Sequence, residues 1–203
     1  MKTKDLILFE ALNLFSTRGF EAVSVRDISS AIGIRESALY KHYKNKQDIF
    51  DTLVEEMSKR MTDIHTHLSI PMEISPSASN VYRDMPITTL QEISCNLFSF
   101  YLKDDIVSKF RKMLTIEQYR NSEIGQKFNE IFIDSALRFQ SGLFKQLIES
   151  GTFVKGDPDI MALHFYAPIF LLLYKYDSYP EKEEEAHVMI KMHVTEFSKQ
   201  YTA

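Results

Sequence analysis

The sequence predicts an all-α protein of about nine helices, with a small N-terminal helix-turn-helix head and a larger C-terminal helical-bundle body. Apolar residues recur at the i, i+3, i+4 spacing of amphipathic helices along most of the 203-residue chain. Glycine and proline fall between these stretches, where helices end and turns form. The sequence contains no convincing strand pattern and no internal repeat. We define the head as residues 1–46 and the body as residues 47–203, and expect these to be the two domains.

Residues 24–46, SVRDISSAIGIRESALYKHYKNK, have the pattern of two short helices joined by a tight turn. Ser24 stands three residues before Asp27, which is the spacing of an N-terminal capping box. Gly33 follows the apolar residues of the first helix, where a left-handed residue ends a helix. The second helix is expected from about Arg35 to Tyr43, with a thin apolar face and a polar outer face. Such a helix suits the DNA major groove, and the alternative is a solvated surface helix of any all-α protein.

The charge of the chain is distributed unevenly. Its net charge is −4, yet residues 1–50 contain eight Lys and Arg against six Asp and Glu, so that the remainder carries −6. A basic head neutralises phosphates, whereas an acidic body limits non-specific binding. Lys41, Lys44 and Lys46 cluster around the end of the second helix of the pair, where phosphate contacts are expected.

Residues 25–50 and the helix before them resemble the N-terminal domain of the tetracycline-repressor (TetR) family of bacterial regulators. The preceding helix ends at an Arg18-Gly19-Phe20 turn, and its apolar residues are Ile7, Ala11, Leu14 and Phe15. The resemblance covers about the first fifty residues and implies that helices one to three bind DNA, with the third as recognition helix. One departure is Arg35, which occupies a position where that helix often begins with a Ser or Thr cap. The cap hydrogen bond is then missing, and a cation is gained at the DNA surface.

The resemblance implies a homodimer that inserts two recognition helices into successive major grooves of a near-palindromic double-stranded operator. Phosphate contacts are expected from Ser24, Arg26, Lys44 and Lys46. Base contacts are expected from Arg35, Glu36, Ser37, Tyr40 and Lys41, and His42 completes the predicted DNA-binding set. The alternative for Glu36 is a favourable interaction with the helix dipole, and for Tyr40 a contact with phosphate or sugar.

Beyond residue 46, apolar periodicity and proline placement predict further helices and one long loop. The predicted helices cover about 47–68, 88–102, 104–119, 122–150, 157–176 and 180–200, and the loop covers 69–87. The resemblance implies that the first of these helices links head to body and carries an allosteric signal between them.

The last two predicted helices, at about 157–176 and 180–200, suggest a partner. The first of them is apolar on nearly all sides and must be buried on most of them. A second copy of the chain is able to supply the missing cover, and the resemblance implies a four-helix dimer interface at this place. The alternative is that both helices complete a monomeric core.

The body is rich in residues that suit an apolar ligand pocket, since the chain contains 15 Phe, 10 Tyr and 9 Met. The resemblance implies a small-molecule effector that binds in the body, moves the fourth helix and releases DNA. Candidate pocket residues are Phe98, Tyr101, Met113, Tyr119, Phe132, Phe139, His164 and Phe165. The alternative for each is a core position, and the alternative for the protein is control by protein contacts without an effector. An apolar effector is expected if there is one, and repression is favoured over activation, which stays open.

Other classes of protein find little support in the sequence. A single cysteine, Cys95, allows no internal disulfide and indicates a reducing compartment. No signal peptide precedes the first helix, and the longest apolar run is too short to cross a bilayer. We therefore expect a cytoplasmic bacterial protein that associates with the nucleoid when bound to DNA, without membrane contact.

Motifs for catalysis are also missing from the sequence. Glu184 and His187 form one Glu-x-x-His, whereas helical-bundle metal enzymes use two such motifs and further glutamates. The sequence has no cysteine pair for zinc, no glycine-rich phosphate loop and no nucleophile elbow. We expect no catalytic residue, no metal site and no cofactor, and a helical-bundle metal enzyme is the disfavoured alternative.

Overall fold

The computed structural model describes residues 2–69, 71 and 75–203, and regular structure in these ranges is helical. No β-strand occurs within them, where the nearest feature is an isolated antiparallel bridge between Phe153 and Thr202. The predicted all-α fold class is confirmed. No helix in the described ranges is both long and apolar enough to cross a membrane.

Most of the helices are joined by short connections along the chain. The N-terminal ones are α1 (Thr3–Arg18), α2 (Val25–Ala31), α3 (Glu36–Leu39) and α4 (Lys46–His67). They are followed by α5 (Pro76–Arg83), α6 (Ile87–Lys103), α7 (Asp105–Glu117) and α8 (Ser122–Asn129). A π-helical turn (Glu130–Asp134) leads into α9 (Ser135–Glu149). The chain ends with α10 (Pro158–Tyr176), a 3-10 turn (Pro180–Lys182) and α11 (Glu183–Tyr201).

The loop predicted over residues 69–87 is wrong in part, because α5 lies within it. Pro76 is its first residue, where the missing N–H of proline costs no helical hydrogen bond. The ring of Tyr82 on α5 packs edge-to-face on Phe139 of α9, with centroids 6.5 Å apart. This burial stabilises the helix and raises the pKa of Tyr82 to about 12. Residues 70 and 72–74 of the predicted loop lie outside the described residues.

The single long helix predicted over 122–150 is interrupted by the π-helical turn. A π turn displaces backbone carbonyls from the regular i to i+4 pattern. The hydroxyl of Tyr166 on α10 donates a hydrogen bond to the carbonyl of Phe132 within this turn. Gly151, with φ of +74°, ends the helical segment at the predicted place.

The backbone packs into two compact units. Unit 1 comprises Met1–Asp63 and Asp105–Asn129, and unit 2 comprises Ile64–Asp104 and Glu130–Ala203. These units group segments by packing, so the predicted domain boundary after residue 46 stays a prediction.

The core of unit 1 contains a chain of four aromatic rings. Phe15 of α1 meets Phe20 at 5.2 Å between ring centroids, and Phe20 meets Phe50 of α4 at 5.1 Å. Phe50 in turn lies 6.4 Å from Phe110 of α7. All four side chains are buried. The α1–α2 turn is thereby packed between α1 and α4, with α7 joined to the same core.

Unit 2 has two buried clusters that share α10 and α11. One contains Cys95 and Phe98 of α6, which pack with Leu172 and Ile190. The other joins α9 to the same pair of helices, and its members are Leu143, Phe144, Leu147, Met161, Ala162, Phe197 and Tyr201. Cys95 is a buried core residue, and burial raises the pKa of its thiol.

Substitution of two glycines should separate backbone strain from steric overlap. Gly19 has φ of +88° and ψ of 158°, a region open almost only to glycine, and an added Cβ would overlap Oε1 of Glu117. Gly33 has φ of +73° but open space around it. We expect Gly19→Ala to lower the free energy of unfolding by about 3 kcal/mol, against about 1 kcal/mol for Gly33→Ala. Urea unfolding followed by circular dichroism measures both losses of stability, and equal losses would contradict a steric overlap with Glu117.

Candidate nucleic-acid interface

The first helix of the helix-turn-helix begins at a complete capping box, as predicted. The hydroxyl oxygen of Ser24 accepts a hydrogen bond from the backbone N–H of Asp27 at 3.1 Å. The carboxylate of Asp27 accepts one from the backbone N–H of Ser24 at 2.8 Å. Hydrogen bonds from the side chain and backbone of Ser24 lower the pKa of Asp27. The first residues of α2 are thereby fixed at the surface.

The turn between α2 and α3 is built around Gly33. This residue takes the left-handed conformation, and its N–H donates to the carbonyl of Ser30 at 3.2 Å. The N–H of Ile34 then reaches back to the carbonyl of Ser29 at 3.0 Å. These bonds end α2 and reverse the chain, so that α3 starts three residues after Gly33.

The candidate recognition helix is shorter than the predicted range of Arg35 to Tyr43. Arg35 stands at the N-cap and makes no capping hydrogen bond through its side chain. The α-helix covers only Glu36–Leu39, after which the N–H groups of Lys41 and His42 donate to carbonyls three residues back. This tighter winding is typical of the last turn of a helix.

Two buried side chains hold this segment on the rest of the head. Leu39 and Tyr43 lie in the core, and the hydroxyl of Tyr43 donates to the carbonyl of Lys4 at 3.3 Å. Burial raises the pKa of Tyr43 to about 12. The ammonium of Lys4 lies 5.5 Å from the centre of the Tyr43 ring. Anchors on one face leave the opposite face of the segment free to contact a partner.

Nine of the ten predicted DNA-binding residues have exposed side chains. They are Ser24, Arg26, Arg35, Glu36, Ser37, Tyr40, Lys41, His42 and Lys44. Four of them are Lys or Arg and one is acidic, so the surface presents mainly donors. Tyr40, at the end of α3, is 51% exposed although it is aromatic. The set combines cations for phosphates with polar groups and an aromatic ring for bases or sugars.

Lys46 differs from the other predicted phosphate ligands. Its ammonium donates to the carbonyl of Phe20 at 2.8 Å and lies 4.3 Å from the centre of the Phe20 ring. A side chain engaged in this way holds the α1–α2 turn rather than projecting toward a phosphate. The sequence showed only its basic character and its place in the cluster.

Sequence reasoning missed two features of the head. Asn45 caps α4, since its Oδ1 accepts from the N–H of Asp48 at 2.8 Å, and Asp48 accepts from the N–H of Lys44. The Asn45–Asp48 spacing equals that of Ser24 and Asp27, so this signal was present in the sequence. Lys4 is the second feature, an exposed cation brought beside the candidate recognition helix by Tyr43. No local pattern signals that contact, which arises from the packing of α1.

The eight predicted pocket residues fall in different environments. Met113 of unit 1 and Phe98 and Phe132 of unit 2 are fully buried. Tyr101, Phe139 and Phe165 are partly buried against the two clusters of unit 2. His164 has an exposed side chain, hydrogen-bonded to the hydroxyl of Tyr201 at 2.5 Å. Tyr119 is 90% exposed and so lies on the surface instead of in an enclosed cavity. A shared pocket of the others stays a prediction.

A separate open groove of about 580 Å³ lies between α9 and α10. Its lining residues are Asp134, Leu137, Arg138, Ser141, Gly142, Asp159 and Ala162, none of which was predicted to bind a ligand.

The histidine of the Glu-x-x-His motif contacts α6 and its own helix. His187 Nε2 is hydrogen-bonded to the hydroxyl of Ser99 at 2.9 Å and lies 3.8 Å from a carboxylate oxygen of Glu183. In the part of the chain that the structure describes, no group of three or more His, Cys, Asp or Glu side chains is arranged to hold a metal ion.

Comparison with known proteins supports the geometry of the head. The family model for bacterial regulatory proteins of the tetR family matches residues 7–53. Among curated proteins, the biofilm operon icaADBC negative transcriptional regulator IcaR of Staphylococcus epidermidis is 40% identical over 52 residues. That match covers 26% of this chain and 28% of IcaR, so the chain spans little more than a quarter of the relative's length.

Solved structures are similar over almost the whole chain. A TetR-family regulator from Mesorhizobium loti has a TM-score of 0.69 at 18% identity, covering 98% of this chain and 96% of its own. The complex of SmeT with triclosan has a TM-score of 0.68 at 19% identity, covering 99% and 92%. SmeT is the repressor of the multidrug efflux pump SmeDEF of Stenotrophomonas maltophilia. At such identities the likeness shows the fold alone.

Removal of the capping hydroxyl should change the titration of Asp27. We expect Ser24→Ala to raise the pKa of Asp27 toward its ordinary value of 3.8. A lowered carboxyl pKa stabilises the folded state above the unfolded pKa, and this contribution is lost as the pH falls through the folded pKa. The stability difference between wild type and Ser24→Ala should therefore shrink in acid. Carboxyl NMR titration measures the pKa of Asp27, and Ser30→Ala on the exposed side of α2 is the control. An unchanged pKa in Ser24→Ala would refute the capping hydrogen bond as the cause of the lowered pKa.

Proposed function

We propose that the chain is a DNA-binding transcriptional repressor of the TetR family of bacterial regulatory proteins, whose family model matches residues 7–53. The observation that supports this most is the helix-turn-helix itself. Leu39 and Tyr43 are buried, whereas the outer face of α3 carries exposed polar and cationic side chains. This is the arrangement required of a helix that enters the major groove.

In the proposed complex, α3 reads bases and its neighbours bind phosphates. Arg35 and Lys41 are suited to guanine, and Glu36 accepts from the amino group of cytosine. Arg26 and Lys44 pair with phosphates, and the exposed N-cap Ser24 at the positive end of α2 faces another. Lys4 joins this set because Tyr43 holds it beside the segment. Lys46 acts indirectly, through the α1–α2 turn.

We propose that the operator is bound by a homodimer joined through α10 and α11. Each helix has a stripe of exposed apolar side chains at helical spacing, which a monomer would leave in water. On α10 these are Ile160, Leu163, Leu171 and Tyr174, and on α11 they are Val188, Met189 and Met192. A two-fold partner covers such stripes with the same stripes and places two heads on two half-sites.

The proposed signal for release of DNA is a small, mostly apolar molecule bound in the body. Aromatic side chains pack between α6, α9, α10 and α11 of unit 2. SmeT, which has the same fold, binds triclosan. Because binding energies are linked, an effector that weakens operator binding is itself bound less tightly by the DNA complex. The operator lies in the bacterial cytoplasm, and the protein is proposed to act there.

Operator binding is the first test. Fluorescence anisotropy would follow binding to the DNA upstream of the protein's own gene, with excess random DNA at several salt concentrations. We expect specific binding to weaken about tenfold or more in Tyr40→Ala, because that residue faces the groove. Tyr119→Ala, an exposed tyrosine of unit 1 away from α3 in sequence, is the control and should bind as wild type does. Binding that is equal on random DNA would contradict the proposal.

The same complex then tests the effector, with triclosan as the first probe in a panel of aromatic ligands. Release of DNA together with a raised melting temperature supports small-molecule control. A panel without either effect favours control through protein contacts.

Charge placed in the apolar stripes should separate the dimer. Leu171 and Met192 are 68% and 64% exposed, so Glu at either position is solvated in a monomer but buried without a partner in the proposed interface. We expect Leu171→Glu and Met192→Glu to raise the dimer dissociation constant by about 100-fold. Val81→Glu, at an exposed apolar residue of α5, should leave it unchanged. Sedimentation equilibrium measures the constant, and a wild-type protein that is monomeric at micromolar concentration would disprove the dimer.

A further inference from the structure

A buried carboxylate of α7 meets the turn between α1 and α2. Glu117 is the last residue of α7, and its side chain is 0% exposed. Its Oε1 accepts a hydrogen bond from the backbone N–H of Glu21 at 3.3 Å. The contact joins residues 96 positions apart, both within unit 1. A glutamate at this place is therefore directed at the backbone of the head.

The turn is shaped to admit this carboxylate. Gly19 lies against Oε1 of Glu117, and a Cβ at this position would overlap it. Two constraints require glycine at this position: the backbone conformation and the close approach of Glu117. The methyl group of Ile116 lies on the same side, 3.1 Å from where that Cβ would be.

The same turn is bound by two other side chains of unit 1. The ammonium of Lys46 donates to the carbonyl of Phe20 at 2.8 Å and approaches that of Glu21 at 3.4 Å. The side-chain amide of Asn121 donates to the carboxylate of Glu21 at 3.2 Å. The carboxyl group of Glu117 thus accepts a hydrogen bond from the turn, while the ammonium of Lys46 donates one to it. The turn is therefore fixed in orientation as well as in position.

We propose that Glu117 is a positioning residue for the DNA-binding surface, an inference that rests on the proposed function. Only two residues separate Glu21 from the N-cap of α2 at Ser24, so the orientation of the turn is passed to α2 and, through Gly33, to α3. Glu117 itself does not touch DNA. It sets the direction in which α3 is presented.

The chemistry of the site favours positioning over simple stabilisation. An apolar side chain fills a buried space at lower desolvation cost than a carboxylate. Within the described part of the chain, the second oxygen of Glu117, Oε2, is buried without a hydrogen-bond partner. The hydrogen bond that Oε1 accepts comes from the backbone of the turn, which gives direction that an apolar contact lacks.

The test compares three variants at position 117 in the full-length protein. Glu117→Met keeps the length but removes the acceptor, Glu117→Asp keeps the charge but shortens the reach, and Glu117→Gln keeps an acceptor at the same distance. Three measurements are made on each: amide hydrogen exchange at residues 19–27, affinity for operator and random DNA, and the melting temperature. Should Glu117→Met fail to fold, Glu117→Asp provides the same comparison.

We expect Glu117→Met and Glu117→Asp to exchange the Glu21 amide about tenfold faster and to bind operator about tenfold more weakly. Random-DNA binding should change less than about twofold, since the phosphate ligands stay in place, and Glu117→Gln should restore both properties. Wild-type operator affinity in Glu117→Met would overturn the proposal, as would parallel loss of operator binding, random-DNA binding and melting temperature. If wild type binds no operator, the proposed function fails, whereas the exchange rates still decide whether Glu117 holds the turn.

Discussion

The backbone of the α1–α2 turn is the constraint on which the N-terminal unit depends. Its N–H at Glu21 is bound by Glu117, its carbonyl at Phe20 is bound by Lys46, and the Phe20 ring packs between Phe15 and Phe50. The turn has no room for a side chain at Gly19, because the carboxyl group of Glu117 occupies the space beside it. Three distant segments thus meet at a few backbone atoms, and the angle at which α2 leaves the turn follows from them.

The head separates the residues that fold it from the residues that meet a partner. Leu39 and Tyr43 are buried, and a capping box at Ser24 and a side-chain cap at Asn45 begin the flanking helices through local hydrogen bonds. The cations and polar groups on the outer face make little contribution to this framework. Unit 2 shows the reverse on α10 and α11, where apolar side chains are exposed on the surface that the proposed dimer would cover.

Features of the sequence that act within a few residues predicted the structure best. The capping box at Ser24, the left-handed Gly33 and the helical periodicity of the body all depend on neighbours in the chain, which a sequence displays. The role of Lys46, the contact of Lys4 with Tyr43 and the placement of Glu117 depend on segments that meet only after folding. The sequence did not predict the π-helical turn and α5 for a related reason: Tyr166 and Phe139, which stabilise them, lie on other helices. Tyr119 shows that aromatic character alone does not indicate burial.

The shortness of α3 has a consequence for how such a protein acquires a new binding site on DNA. Its four helical residues are held by the buried side chains of Leu39 and Tyr43, so the outward positions are not needed to form the helix. In the proposed complex, substitutions at Arg35, Glu36, Ser37, Tyr40 and Lys41 would therefore alter the base readout at little cost to folding. On that proposal, a duplicated gene could diverge toward another promoter by changes in this one segment, while its scaffold is inherited intact.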